Sequence, residues 1–153
     1  MRARILVRVQ KESFDVAAEA ARLTQGCTGI GALVSFTGLC RDEGGALAAL
    51  EIEHYPGMAE EEITRVAREA SSRWPLERIL AVHRYGLIRP GEGIVLVVTA
   101  SQHRGEAFAA ASFLMDYLKT EAPFWKKRHL GGGAGDWVEA KPQDHAAAQK
   151  WRA

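Results

Sequence analysis

Only two of the 153 residues are cysteine, Cys27 and Cys40. They lack the close spacing of a zinc or thiol-redox motif, and two cysteines make a poor disulfide framework, so a reducing cytoplasm is the expected setting. Long apolar runs are missing as well. The opening "MRARILVRVQ" interrupts a short apolar stretch with arginines, unlike a signal peptide, and no later stretch is apolar enough to span a bilayer. An excess of either charge is also absent, with Lys plus Arg at 20 against Asp plus Glu at 19. A generic nucleic-acid binder shows a basic surplus. Neither nucleic acid nor membrane is therefore an expected partner, and any affinity for anions must be local. There is no internal repeat, no Ser-His-Asp pattern, no phosphate-binding glycine fingerprint and no metal-ligand set, so neither a metal nor a resident cofactor is expected.

What is present suits a single domain over residues 1–153. Ile5, Val7 and Val9 read as a strand. "SFDVAAEAARLT" reads as a helix capped by Ser13 or Asp15. "ALVSFTG" and "LAALEIEHY" read as strands, paired as a hairpin across "RDEGGA". "AEEEITRVAREASSRW" is the clearest helix, with Ile63, Val66, Ala67, Ala70 and Trp74 at helical spacing and Glu60, Glu61 and Glu62 in its first turn. "RILAVHRYGLI" and "IVLVVTAS" are strand-like around the turn "RPGEG". A second long helix, "GEAFAAASFLMDYLKTEA", aligns Phe108, Ala111, Met115 and Leu118, and Pro123 forces a turn after it. A late strand, "DWVEA", follows a glycine-rich loop, and the tail "HAAAQKWRA" reads as a short helix or a frayed end. Strands and helices mix without regular alternation, which defines an α+β fold.

Three clusters carry possible chemistry. In "SQHRGEAF", His103 and Arg104 stand where a buried strand enters a helix, and the free N–H groups of a helix start attract anions. Spacing alone leaves open whether the pair binds an anion or occupies a solvated loop. In "FTGLCR", Arg41 emerges at a strand tip, where it can grip a phosphate with two hydrogen bonds, although a lone arginine there is usually solvated. Its neighbour Cys40 reads as a buried, inert thiol rather than a nucleophile. In "LKTEAPFWKKRH", Lys119 closes the long helix, and Lys126 and Lys127 adjoin Phe124 and Trp125. A partly desolvated lysine titrates lower and can exchange protons. Arg, His-Arg and two lysines together point to a small phosphate-bearing molecule and lysine-assisted chemistry.

The segments "FTGLCR", "LEIEHYPGMAE", "RWPLERILAVHRYGLIRPGE", "SQHRGEAF", "MDYLKTEAPFWKK" and "WVEA" occur in the order found in the large, catalytic subunit of molybdopterin synthase. Nearly the whole chain resembles that MoaE-like family. The resemblance implies an α/β-hammerhead fold, a subtype of α+β, with antiparallel sheets and two long helices. It implies a homodimer carrying a small ubiquitin-like sulfur-carrier subunit at each end, hence a heterotetramer. That partner brings sulfur as a thiocarboxylate on its C-terminal Gly-Gly, and the reaction converts cyclic pyranopterin monophosphate into the dithiolene of molybdopterin. Carried over by motif, Lys119 and Lys126 are the catalytic lysines. Arg41, His103 and Arg104 belong to an anion pocket drawn from both protomers, Lys127 and Arg128 line it, and Lys141 falls where relatives carry a basic residue. Arg128 departs from the family's acidic residue, whose tether to a lysine would then come from Glu121 or Asp136.

Rival readings are a non-catalytic module that binds a ubiquitin-like tail or phosphorylated ligand, an RNA-binding domain that stacks bases on Trp125, and a persulfide route through Cys40.

Overall fold

In the computed structural model, residues 3–131, 133–138 and 141–152 are described, those from 133 to 138 as backbone alone. Two four-stranded sheets organise the chain. The first contains β1 (Arg4–Gln10), β2 (Ala32–Leu39), β4 (Leu76–Arg84) and β6 (Gly93–Ser101), in the order β1-β4-β6-β2. The second contains β3 (Leu47–His54), β5 (Gly86–Ile88), β7 (Phe124–Leu130) and β8 (Gly133–Val138), in the order β5-β3-β7-β8. Helices α1 (Val16–Thr24), α2 (Met58–Arg73), α3 (Arg104–Thr120) and α4 (Pro142–Gln149) complete the α+β fold.

The centre of the first sheet explains its sequence. Along β4 and β6, Ile79, Ala81, Val95 and Val97 face the core shared with α2 and α3, while Leu80, Val82, Leu96 and Val98 face α1. Both faces are covered, so the strands read as near-continuous apolar runs. Each Ile, Leu or Val among them contributes roughly 1.5–3 kcal/mol through burial. α2 buries Ile63, Val66, Ala67 and Ala70, as its spacing predicts, and Asp15 caps α1 by accepting from the Ala18 N–H at 3.0 Å.

Several expectations need correction. β2 and β3 are not a hairpin: β2 pairs with β6, and β3 joins the second sheet between β5 and β7. Leu47, Leu50 and Ile52 of β3 pack with Cys40 and Ile88 in a separate small core, which draws the strand away from the first sheet. The sheets are not antiparallel throughout, because β1 runs parallel to β4. Such a pairing needs a long crossover, which the chain from α1 to α2 supplies. "RILAVHRYGLI" is two strands separated at Tyr85, and Gly86, which opens β5, has a φ of +87° that favours glycine and lets the chain pass from one sheet to the other. Along α3, Ala111 and Leu118 are buried as expected, but Phe108 is exposed, and Ala107, Ala110, Phe113, Leu114 and Tyr117 complete the buried side. The aromatic-basic stretch after Pro123 is itself a strand, β7. Of the expected strand "DWVEA", residues 136–138 lie in β8, and Glu139 and Ala140 fall outside the described residues. Among the described residues, no helix is long and apolar enough to cross a membrane.

Candidate active site

β7 places its charges by strand alternation. Ile52 pairs with Lys126, Leu50 with Arg128 and His54 with Phe124, so Phe124, Lys126 and Arg128 share the face turned towards the small core. Lys127 pairs with Glu51 and Trp125 with Glu53 on the opposite face. There Trp125 meets Tyr55 edge-on at 5.3 Å, and His129 lies 2.8 Å from Glu51. Lys126 and Lys127, neighbours in sequence, thus face opposite ways.

Lys126 is half-buried, and its ammonium is pushed down to about 8 from the usual 10.5. Desolvation is the main cause, and the like charge of Lys119 adds to it. Asp144 of α4 and Cys40 act in the other direction. The two lysines therefore share one region, with Lys119 exposed on the last turn of α3 and Lys126 beyond the Pro123 turn. At pH 7.5 about a quarter of Lys126 is neutral, against about a thousandth for an ordinary lysine. Such a lysine can both accept and donate a proton near neutrality.

Beneath it lies a stack that the sequence reading passed over. His83, buried at the end of β4, stacks on Phe124 at 3.8 Å and 12°, and His54 lies 4.3 Å from the Tyr85 ring. Burial pushes His83 down to about 3, with Lys126, His54 and Lys119 adding to the shift. A His-Arg doublet closing an apolar strand was the available signal.

Cys40 is 4% exposed, and burial together with Glu43 and Glu92 raises its thiol above the ordinary range despite Lys126. It is an inert thiol beside the lysines. Arg41 follows it directly and is exposed. Gly38, just upstream, passes so close to β6 that a Cβ would lie 2.8 Å from Val95 Cγ1, which fixes the strand before the arginine. Arg128 pairs with Glu43 in the β2–β3 turn, and its buried Nε–H has no acceptor among the described residues. Glu121 is engaged by Arg152, and the side chain of Asp136, the other acid expected to tether a lysine, lies outside the described residues. Lys141 is exposed at the N-cap of α4, the helix that brings Asp144 near Lys126.

His103 and Arg104 stand apart. They begin α3, and Lys119 is near its end. Fifteen residues at 1.5 Å each put Arg104 roughly 22 Å from Lys119 along the axis. Both are exposed, and His103 borders a cavity of about 470 Å³ lined also by Arg4, Arg78 and Gln102. Another cavity, of about 340 Å³ between α2, α3 and the end of α4 with the chain after it, is lined by neither Lys119 nor Lys126. Within one chain the predicted site is thus divided: Lys119 and Lys126 lie together, with Arg128 on the same face of β7 as Lys126, while His103 and Arg104 lie at the other end of the helix. Among the described residues, no group of three or more His, Cys, Asp and Glu could hold a metal ion.

An α+β fold with paired lysines over a dry aromatic floor defines a candidate group-transfer enzyme. The MoaE protein family model matches residues 9–121. A molybdopterin synthase catalytic subunit from Mesorhizobium japonicum is 65% identical over 147 residues, covering 95% of this chain and 92% of that protein. The solved structure of a molybdopterin biosynthesis MoaE protein from Burkholderia ambifaria is 46% identical with a TM-score of 0.84, covering 97% of this chain and 99% of that one. A more distant structure, a complex of subunits 1 and 2 of molybdopterin-converting factor from Helicobacter pylori, shares 18% identity at a TM-score of 0.72 and supports the fold alone. It covers 91% of this chain and 92% of that one. This chain belongs to the MoaE family.

Proposed function

We propose that the chain, as a single domain over residues 1–153, is the catalytic sulfur-transfer subunit of molybdopterin synthase in the cytoplasm, serving molybdenum cofactor biosynthesis. Family membership carries the activity, and the half-buried Lys126 beside Lys119 is the observation that carries the site. The donor is a small ubiquitin-like subunit whose C-terminal Gly-Gly thiocarboxylate enters the lysine region in extended form. The acceptor is cyclic pyranopterin monophosphate, which receives two sulfurs. Both reagents are anions, so fixed positive charge in a partly dry site must bring them together. Lys119 faces the thiocarboxylate and Lys126 the pterin, where its neutral fraction moves protons as the carbon–sulfur bonds form. Arg41, Arg128 and Lys141 add field at this end. His103 and Arg104 reach the site from a second protomer, because the length of α3 keeps them from Lys119 in their own chain. A homodimer with a small subunit at each end, a heterotetramer, satisfies that geometry. Lys127, on the opposite face of β7, lines the path of the tail rather than the reaction centre.

Reconstitution with thiocarboxylated small subunit and cyclic pyranopterin monophosphate, scored for dithiolene, tests the reading. Lys119→Ala is expected to fold and bind the small subunit while losing at least about a hundredfold in rate. Cys40→Ser is expected to remain active, because sulfur arrives already on the partner. Full turnover by Lys119→Ala would remove that lysine from the mechanism, and a complex without any dithiolene from the unaltered chain would favour a binding module.

A further inference from the structure

The polar group buried deepest beside the lysines has no part in the chemistry above. His83 is 4% exposed. Its Nδ1 lies 2.8 Å from the Arg84 carbonyl oxygen, which only accepts, so Nδ1 carries the proton and the neutral ring keeps a lone pair on Nε2. The other large contact of the ring is Phe124, stacked at 3.8 Å and nearly parallel at 12°. Phe124 stands two places before Lys126 on the same face of β7. The backbone of β4 is held independently, since Arg84 donates to the Lys11 and Gly93 carbonyls at 2.9 and 3.1 Å. The histidine therefore sits on a fixed strand of the first sheet and reaches across to the second, where its stacking partner leads directly to the lysine.

We propose that His83 is a positioning residue for Lys126: by stacking on Phe124 it locks the start of β7 against the first sheet and closes the floor beneath the lysine to water. The inference rests on the reading of Lys126 as catalytic for its kinetic consequence, but not for its structural one. The charged and titratable groups around this floor are Lys119 from α3, His54 from β3, Cys40 after β2 with Glu43 and Glu92 beside it, Arg128 on the same face of β7, and Asp144 from α4. Those that act on the ring itself are Lys126, His54 and Lys119. A protonated imidazole would be a third positive charge beside two ammoniums, and burial together with those charges keeps the ring neutral. A neutral aromatic floor excludes water from Lys126 without supplying a counter-charge, which is the condition that keeps a lysine partly deprotonated.

The test measures Lys126 directly. The free chain, labelled at lysine side chains, is titrated by NMR, and the Lys126 signal is assigned by its loss in Lys126→Arg. His83→Ala is expected to raise the Lys126 midpoint from about 8 by about one unit or more, towards the ordinary 10.5. His83→Phe, which keeps a stacked ring, is expected to hold it within about half a unit. If His83→Ala does not fold, Phe124→Leu removes the same stack from the other side and is expected to raise the midpoint likewise. In the reconstituted enzyme, the rising limb of kcat against pH follows the midpoint, so kcat at pH 7 falls about tenfold per unit while KM stays within about twofold. An unmoved midpoint in a folded variant lacking the stack overturns the proposal, as does an equal shift in His83→Phe. A shifted midpoint with unchanged kcat leaves the positioning role intact and instead refutes the catalytic role of Lys126.

Discussion

The two ends of α3 are built for different tasks. At its start, the buried strand β6 delivers the chain into His103, an N-cap with extended backbone and no side-chain cap among the described residues, so the first N–H groups of the helix remain open beside the exposed His103 and Arg104 side chains. At its end, the chain turns at Pro123 into β7 and sets Lys126 over an aromatic floor where its charge is disfavoured. In the proposed function, one end attracts anions through open N–H groups and solvated charge, and the other makes a lysine reactive by withholding water. Because a helix is rigid on this scale, the two functions stay roughly 22 Å apart in one chain. On the proposed reading, a symmetric dimer joins the start of one α3 to the end of the other, and the reaction centre is then a property of the assembly.

Mixing two crippled chains tests that division with the largest expected effect. Lys119→Ala and Arg104→Ala are each expected to be nearly inactive alone. After dissociation and random reassociation, half the dimers contain one chain of each kind, and each mixed dimer has one intact site of two, so about a quarter of the unaltered activity returns. Dithiolene formation before and after mixing reads the outcome. Activity that stays at the average of the two parents would mean that both groups serve the same chain, and the contrast between the ends would lose its functional meaning.

A smaller effect separates the ends by stability. The folded midpoint of Lys126, about 8, lies below its ordinary 10.5, so between these values the unfolded chain binds the proton more tightly. The buried ammonium therefore destabilises the fold in full below pH 8, and the penalty fades as pH rises to 10.5. Lys126→Met is expected to stabilise the chain at pH 7 by roughly 1–2 kcal/mol, or about 2–8 °C in Tm, and to lose that advantage by pH 10.5. Arg104→Met, at the solvated end, is expected to stay within about 0.5 kcal/mol at both pH values. Thermal unfolding at the two pH values checks both statements, and equal behaviour of the two variants would contradict the dry environment of Lys126.

The same contrast explains what the sequence made visible. β4, β6 and α2 were readable because burial leaves a pattern: apolar residues on both faces of a covered strand, and Ile63, Val66 and Ala70 at helical spacing. The ends of α3 were readable from His103-Arg104 and Pro123, which are local signals. β7 was not, because its two faces alternate Phe124, Lys126 and Arg128 with Trp125, Lys127 and His129, and neither face is apolar. Without that strand the opposite orientations of Lys126 and Lys127 had no basis in the sequence, and both were grouped in one pocket. The pairing of β2 depends on β6, far along the chain, rather than on the turn that follows β2. His83 escaped notice because a histidine in an apolar strand shows its role only when its stacking partner is known.

The smallest expected effect concerns Arg128, which stands at the lysine end without sharing its dryness. It is paired with Glu43, and both side chains are about one-third exposed at 34%. An ion pair so open to solvent contributes about 0–1 kcal/mol and weakens with salt. Glu43→Gln is therefore expected to move Tm by less than about 3 °C and to leave kcat unchanged. Arg128→Ala is expected to raise KM for cyclic pyranopterin monophosphate a few-fold with little change in kcat, since a solvated charge strengthens binding of an anion without entering the transition state. The increase in KM should shrink as ionic strength rises, whereas the loss caused by Lys119→Ala should not. A large fall in kcat for Arg128→Ala would instead place the arginine with the reacting atoms, and the buried Nε–H that lacks an acceptor among the described residues would be the group to follow.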